Sequence, residues 1–293
     1  MWARIVKNKE LQIRLREWQY SIHLLRQNIL TEIGIGIAGV VIISSLLAPW
    51  IAPYSPDVPN FAIKLLPPSW THLLGTDQFG FDIFSRILYA YRLDLEIAFS
   101  VVILGVSFGV FLGSFAGYFG GKIDEIVMRV TDIFFAVPSL ILALAVAAVL
   151  GRSFNGLVTA LTITWWPSYA RLIRGEVLTQ KGKLYVEAAR AAGAGSGRIV
   201  LRHILPNSIY PVLVNATLDL GQVILAAAAL SFLGFGVQPG TPELGRMVAD
   251  SSPYVFTYPW VVAFPGLAIL VISLGFNLVG DGLRDVLDPR LRR

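Results

Sequence analysis

Few side chains in this 293-residue chain are placed to do chemistry. One group lies between Leu184 and Asn207: Glu187, Ala188, Ala189, Arg190, Gly193, His203 and Pro206. Glu187 and Arg190 are three apart and can pair along a helix face. An exposed carboxylate flanked by alanines offers recognition, through charge-assisted hydrogen bonds, rather than bond-breaking. A second group is the pair Asp132 and Asp219, isolated carboxylates inside long apolar runs. Ionisable groups there are costly and point by default to an ion pathway. The chain has no cysteine, which removes disulfide and thiol chemistry. Its three histidines, His23, His72 and His203, are far apart in sequence, and no spacing suggests a metal site or sets a nucleophile beside a base. The nearest approach to a nucleotide-binding loop, Ala116 to Lys122, lacks the leading glycine and the following Ser or Thr. These residues describe a non-catalytic chain with no cofactor of its own.

The first group sits on a recognisable local pattern. Leu184 to Ala192 is rich in good helix formers. Gly193, Gly195 and Gly197 can end a helix and turn the chain. Ser196 can cap a second helix, which must stop near Pro206. The segment of about 180–207 therefore reads as two short helices joined by a glycine turn. Ala189, Gly193 and Ile199 also fit the spacing of a DNA-binding helix-turn-helix, but both ends are tethered to apolar runs, which leaves little freedom to enter a groove.

Those runs set the fold class. The chain is 55% hydrophobic and 15% charged, with a mean hydropathy of +0.65, where a soluble domain carries about 25% charged residues. This predicts an all-α polytopic membrane protein with six spans, near 29–51, 95–118, 126–150, 157–173, 210–233 and 258–279. Gly105, Gly109, Gly113 and Gly117 recur every four residues in the second span, so a neighbouring helix can approach closely. Asp132 falls near the inner edge of the third, as a solvated or arginine-paired residue. Asp219 lies deeper in the fifth, as a structural or cavity-lining residue, with a proton relay as the alternative. Residues 1–28 form a cytoplasmic amphipathic segment with the stripe Leu11, Leu15, Trp18, Ile22 and Leu25, suited to the membrane surface or to another subunit. Residues 29–52 form the first transmembrane segment, 53–91 a proline-rich external loop, 92–281 a five-helix core, and 282–293 a cytoplasmic tail.

Charge orients the spans. Only Lys64, Arg86, Arg92, Arg152 and Arg246 fall on one side; the other nineteen of the 24 Lys and Arg share the side of the termini and of the 180–207 segment. The positive-inside rule makes that side cytoplasmic.

The spacing Glu187-Ala188-Ala189, Gly193, then His203-Ile204-Leu205-Pro206 resembles the EAA loop of binding-protein-dependent ABC import permeases. Leu74-Gly-Thr-Asp-Gln-Phe-Gly-Phe-Asp82 with Ser85-Arg86 resembles a stretch of their dipeptide, oligopeptide and nickel branch, with Phe81 in place of the usual arginine. Leu230-Ser-Phe-Leu-Gly-Phe-Gly236 and the tail Asp281 to Arg290 are similar to that branch as well. The resemblance implies a type-1 permease fold in the inner membrane of a prokaryote and alternating-access import of a small solute, a di- or oligopeptide. It implies a second permease chain, an external solute-binding protein, and two cytoplasmic ATPase subunits that carry ATP and Mg and receive the loop in a groove. The other readings are an ion-coupled secondary transporter and a membrane-anchored enzyme.

Overall fold

The computed structural model describes residues 28–287. The amphipathic stripe expected in 1–28 therefore lies outside the described residues, as do the last residues of the expected tail. Helix α1 (Ile29–Leu46) is opened by Asn28, whose side chain accepts from Leu30 N at 3.0 Å. Pro49 then starts one further turn, Ala48–Ile51. Helix α2 (Ile83–Phe119) begins well before the residue 95 expected from hydropathy. The reason is its cap: Asp82 Oδ2 accepts from both Ser85 N and Ser85 Oγ at 2.8 Å. The last residues of the expected 53–91 loop are thus helical. At about 1.5 Å per residue, α2 exceeds a bilayer core of about 30 Å, so its first turns, with Arg86, Arg92, Asp94 and Glu96, belong to a layer beyond the apolar zone.

The third span is not one straight helix. Helices α3 (Gly121–Phe135) and α4 (Ser139–Leu150) meet at an angle of 89°. Pro138, at the N-cap of α4, disfavours helical geometry in the residue before it and stops α3 there. Helix α5 (Phe154–Lys181) follows. The chain then forms α6 (Leu184–Ala191), the expected glycine turn, α7 (Tyr210–Phe232), α8 (Leu244–Ser251) and α9 (Trp260–Leu287). The last continues past the expected end at 279, into the first residues of the expected tail.

Four of these helices, α1, α2, α7 and α9, are long and apolar enough to cross a membrane, and the bent pair makes a fifth. Helix α5, where the fourth span was expected, is long enough but carries Thr164, Trp165, Trp166, Pro167, Ser168 and Tyr169 in mid-helix. Its surroundings explain that tolerance. Leu157, Leu161, Tyr169, Ala170 and Ile173 are fully buried against other helices, so this helix meets protein more than lipid.

Helices α2 and α5 pack along much of their length. Gly105, Gly109, Gly113 and Gly117 are buried there. A Cβ at Gly109 would lie 2.6 Å from Trp166 O and 2.7 Å from Tyr169 Cβ; one at Gly113 would overlap Ala170 O and lie 2.5 Å from Ile173 Cγ2. The glycine row meets α5 of the same chain. The main core gathers Ile97, Val101, Leu157, Leu161, Val223, Ile224 and Ile272 from α2, α5, α7 and α9. A smaller core gathers Tyr118, Tyr169, Ile173, Val177, Val186, Ile199, Val200, Ile204 and Val212. That second core is the base of the 184–208 segment.

Candidate functional site

Helix α6 ends as its glycine predicts. Gly193 has φ +79, in the left-handed region. Its N–H donates to Arg190 O and the Ala194 N–H to Ala189 O, both at 3.0 Å. These two bonds are a Schellman motif, and Ala189 and Ala194, the pair that should touch, both pack on the smaller core. The second helix differs from expectation. Gly195, not Ser196, occupies the cap position, and no side chain caps there. The chain then widens into a π-helical stretch, Ile199–Ile204, and passes through Pro206 in a final turn, Leu205–Ser208, instead of stopping. The wide turn accommodates a residue without an N–H: Leu205 N–H reaches back five residues to Val200 O. Asn207 Nδ2 donates to His203 O at 2.6 Å and Ser208 Oγ to Ile204 O at 3.0 Å, which satisfies carbonyls near the proline.

The result is a two-sided segment. Val186, Ile199, Val200 and Ile204 face inward and are buried. Glu187, Ala188, Arg190, Gly193 and Pro206 are exposed, while Ala189 and His203 are half-buried. Leu184 and Leu201, 82% and 66% exposed, are apolar side chains presented to the outside on that base. Glu187 and Arg190 do not pair, among the described ion pairs, so both charges stand free for another molecule. No cluster of three or more metal-ligating residues occurs among the described residues.

Asp132 and Asp219 lie apart from this face and from each other. Asp132 pairs with Arg171 of α5, whose Nε also donates to Thr131 Oγ1 at 3.2 Å. Asp219 is buried in α7 and accepts from Asn215 Nδ2 at 3.0 Å. Trp165 and Tyr169 of α5 face the same carboxylate, the Tyr169 hydroxyl without reaching hydrogen-bond geometry.

The 74–86 stretch, a loop by composition, is a polar knot. Asp77 Oδ1 accepts from Phe79 N at 2.9 Å and Phe81 N at 3.0 Å, and Asp77 Oδ2 pairs with Arg86 Nη1 at 3.2 Å. The Phe81 ring lies 4.3 Å beneath the Arg86 guanidinium. Arg86 Nη2 donates to Gly240 O at 2.9 Å, which ties the knot to the segment before α8. Burial pushes the Asp77 carboxyl above its usual range, although Arg86 and the two N–H donors pull it down. His72 Nδ1 meets Asp82 Oδ1 at 3.0 Å.

Sequence reasoning missed a second acidic site nearby. Glu243 caps α8, accepting from Gly245 N at 3.0 Å and Arg246 N at 2.7 Å. Its neighbour in space is Asp94 of α2, fully enclosed, whose Oδ2 lies 3.4 Å from Leu244 N. Burial pushes Glu243 up to about 7, against the Ser231 hydroxyl and the helix N–H groups. The Thr-Pro-Glu run signals a helix start near this point but not Glu243 as its cap, and nothing local signals Asp94.

Residues 109–293, which contain Gly109, Gly113 and Gly117 of the glycine row, the two-sided segment and α7 to α9, match the family described as binding-protein-dependent transport system inner membrane component. The chain belongs to this family. Residues 17–68 match a second family, the N-terminal transmembrane domain of oligopeptide transport permease C. Among similar proteins, the dipeptide transport system permease protein DppC of Alkalihalophilus pseudofirmus is 42% identical over 94% of this chain and 90% of its own length. The protein of that name in Escherichia coli is 43% identical over 99% and 100%. A solved MetNI methionine ABC transporter chain superposes with TM-score 0.55 at 21% identity, over 69% of this chain and 96% of that one, a likeness of fold. This permease is therefore a non-catalytic inner-membrane subunit of an ABC importer. The ion-coupled alternative, which rested on Asp132 and Asp219, finds no support in these relatives.

Proposed function

We propose that this permease carries a di- or oligopeptide inward by alternating access, as one half of a permease pair. Two cytoplasmic ATPase subunits supply ATP and Mg, and an external binding protein delivers the solute. The names of the relatives support the cargo. The observation that carries the mechanism is the two-sided 184–208 segment. Its apolar side is set on the end of α2 and α5, and its other side presents Leu184, Glu187, Ala188, Arg190 and Leu201 to a partner. A rigid element of this kind can act as a lever between two packed arrangements.

Six crossings follow if α5 counts as a span beside α1, α2, the bent pair, α7 and α9. Both termini then share the cytoplasmic side, in agreement with the distribution of Lys and Arg. The segments 53–82 and 234–259, joined by Arg86 to Gly240 and by Ser251 Oγ to Gln78 Oε1 at 3.2 Å, form the outer layer to which the binding protein delivers. In proteoliposomes holding the whole transporter, dipeptide uptake is expected to require binding protein and ATP and to survive an uncoupler. Uptake that an uncoupler abolishes with ATP held constant overturns the mechanism. ATP-driven uptake of another solute, with dipeptides excluded, overturns the cargo alone.

A further inference from the structure

The bent pair α3 and α4 is attached to the rest of the chain in an unusual way. Along α3 only Thr131 is buried, and Ile123, Ile126, Val130 and Ile133 are exposed. The apolar contact of α3 with α5 is mainly the half-buried Phe134 ring, edge-on to Trp166 at 5.3 Å. Polar contacts from α5 supply the rest. Arg174 Nε and Nη2 bind Asp124 Oδ1 and Oδ2, each at 2.6 Å, a bidentate pair at the start of α3. Arg171, one turn earlier, pairs with Asp132 near the end of α3, donates to Thr131 Oγ1, and lies 4.2 Å over the Phe135 ring beside the bend. Lys181 Nζ donates to Tyr118 O at 2.5 Å, at the C-terminal end of α2. Arg171, Arg174 and Lys181 fall on one stripe of α5. That helix ends at Lys181 and leads, through Gly182 and Lys183, directly into α6.

We infer that Asp124 and Asp132 are positioning residues that gear α3, the first half of the bent pair, to α5, and through it to the 184–208 segment, while α4 is held to α5 by Ala143 and Ala147 in the main core. This rests on the reading that the segment docks on an ATPase. A displacement of the segment reaches α5 through two residues of chain. It reaches α3 through two ion pairs that hold both ends of a helix whose apolar grip on α5 is limited mainly to Phe134. Without them α5 moves and α3 does not follow. Hydrolysis then runs without transport. The bidentate Arg174 to Asp124 pair is the stronger link, because Asp124 is more enclosed than Asp132, with side-chain exposures of 18% and 55%.

The test uses the complete transporter with binding protein in proteoliposomes. The variants are Asp124→Asn, Arg174→Met and the exchanged double variant Asp124→Arg with Arg174→Asp. Three quantities are read: ATPase subunit co-purified, ATP hydrolysed, and solute imported per ATP. Each single variant is expected to retain its ATPase subunits and its hydrolysis while import per ATP falls at least about five-fold, the low end of a typical coupling between sites. The exchanged pair should recover most of that loss, which a defect of bulk packing would not allow. Import per ATP unchanged in both single variants overturns the inference, as does a loss that the exchanged pair leaves in place. Loss of the ATPase subunits from the single variants also overturns it, since these residues would then serve assembly. Wild-type permease that never retains ATPase subunits would instead refute the docking reading beneath it.

Discussion

Replacing Gly193 separates backbone geometry from every other property of the 184–208 segment. Its φ is +79, and a Cβ built there meets nothing within 4 Å. Steric overlap with neighbours therefore contributes nothing, and the cost is the left-handed conformation alone. For an L-residue that is about 1–2 kcal/mol, less for asparagine, and at the upper end or above for a β-branched residue. The expected order is Asn, then Ala, then Val. A turn that relaxes to negative φ also gives up the Gly193 to Arg190 and Ala194 to Ala189 bonds. About 1.4 kcal/mol is a factor of ten in an equilibrium, so Gly193→Val should lower the ratio of docking-competent to relaxed turn by roughly ten-fold or more. The apparent Kd for the ATPase subunit should rise by as much as that factor, since it scales inversely with the competent fraction. The assay is titration of purified ATPase onto the permease pair in nanodiscs, with permease abundance measured alongside. The substitution is in an exposed turn, so abundance should hold. Equal affinity for Gly193→Val and wild type, or a loss for Gly193→Asn as large as for Gly193→Val, would refute the argument.

The remaining predictions concern the helices and the outer layer. Gly113→Ala should lower the thermal stability of the detergent-solubilised permease, because its Cβ would meet backbone of α5, whereas Gly105→Ala, 3.4 Å from the Tyr169 ring, should be close to neutral; equal midpoints for the two would contradict the packing. Glu243 sits at about 7 when folded against 4.5 unfolded, so its contribution is fully present below about pH 4.5 and is lost as pH rises through 7. Glu243→Gln, which cannot ionise, should flatten thermal midpoints across this window. Arg86→Met leaves Asp77 buried without its cation and should cost about 3–5 kcal/mol, seen as protease cleavage within residues 53–82 while the membrane helices stay intact.

Much of the 184–208 segment was legible because its determinants are local. A run of helix formers and a glycine at the turn fix α6 and its Schellman end whatever surrounds them. Ser196 misled because a glycine one residue earlier can take the cap position, and Pro206 because a π-helical stretch absorbs the missing N–H. Hydropathy located the four apolar helices and the bent pair but not the bend itself, which Pro138 imposes inside an apolar run. It also could not place the start of α2, where polar residues are buried by partners distant in sequence. Arg86 finds Gly240 at a separation of 154 residues, and Asp94 finds Leu244 at 150. Such pairs depend on how the helices assemble, and a pattern read along one chain carries no trace of them. Conversely, Asp132 near a predicted inner edge suggested an arginine partner, and Arg171 is one because α3 and α5 lie side by side at that level.

The central claim is that the exposed side of the 184–208 segment is the face the ATPase subunit grips. A photo-crosslinking residue at Ala188 tests it directly, because Ala188 is exposed on the docking side of α6 and its replacement leaves the smaller core untouched. In the assembled transporter, ultraviolet light should join this permease to the ATPase subunit, and the same residue at Pro67 in the outer segment should not. Adducts from position 188 to the binding protein, or none to the ATPase while that subunit remains in the complex, would contradict the account.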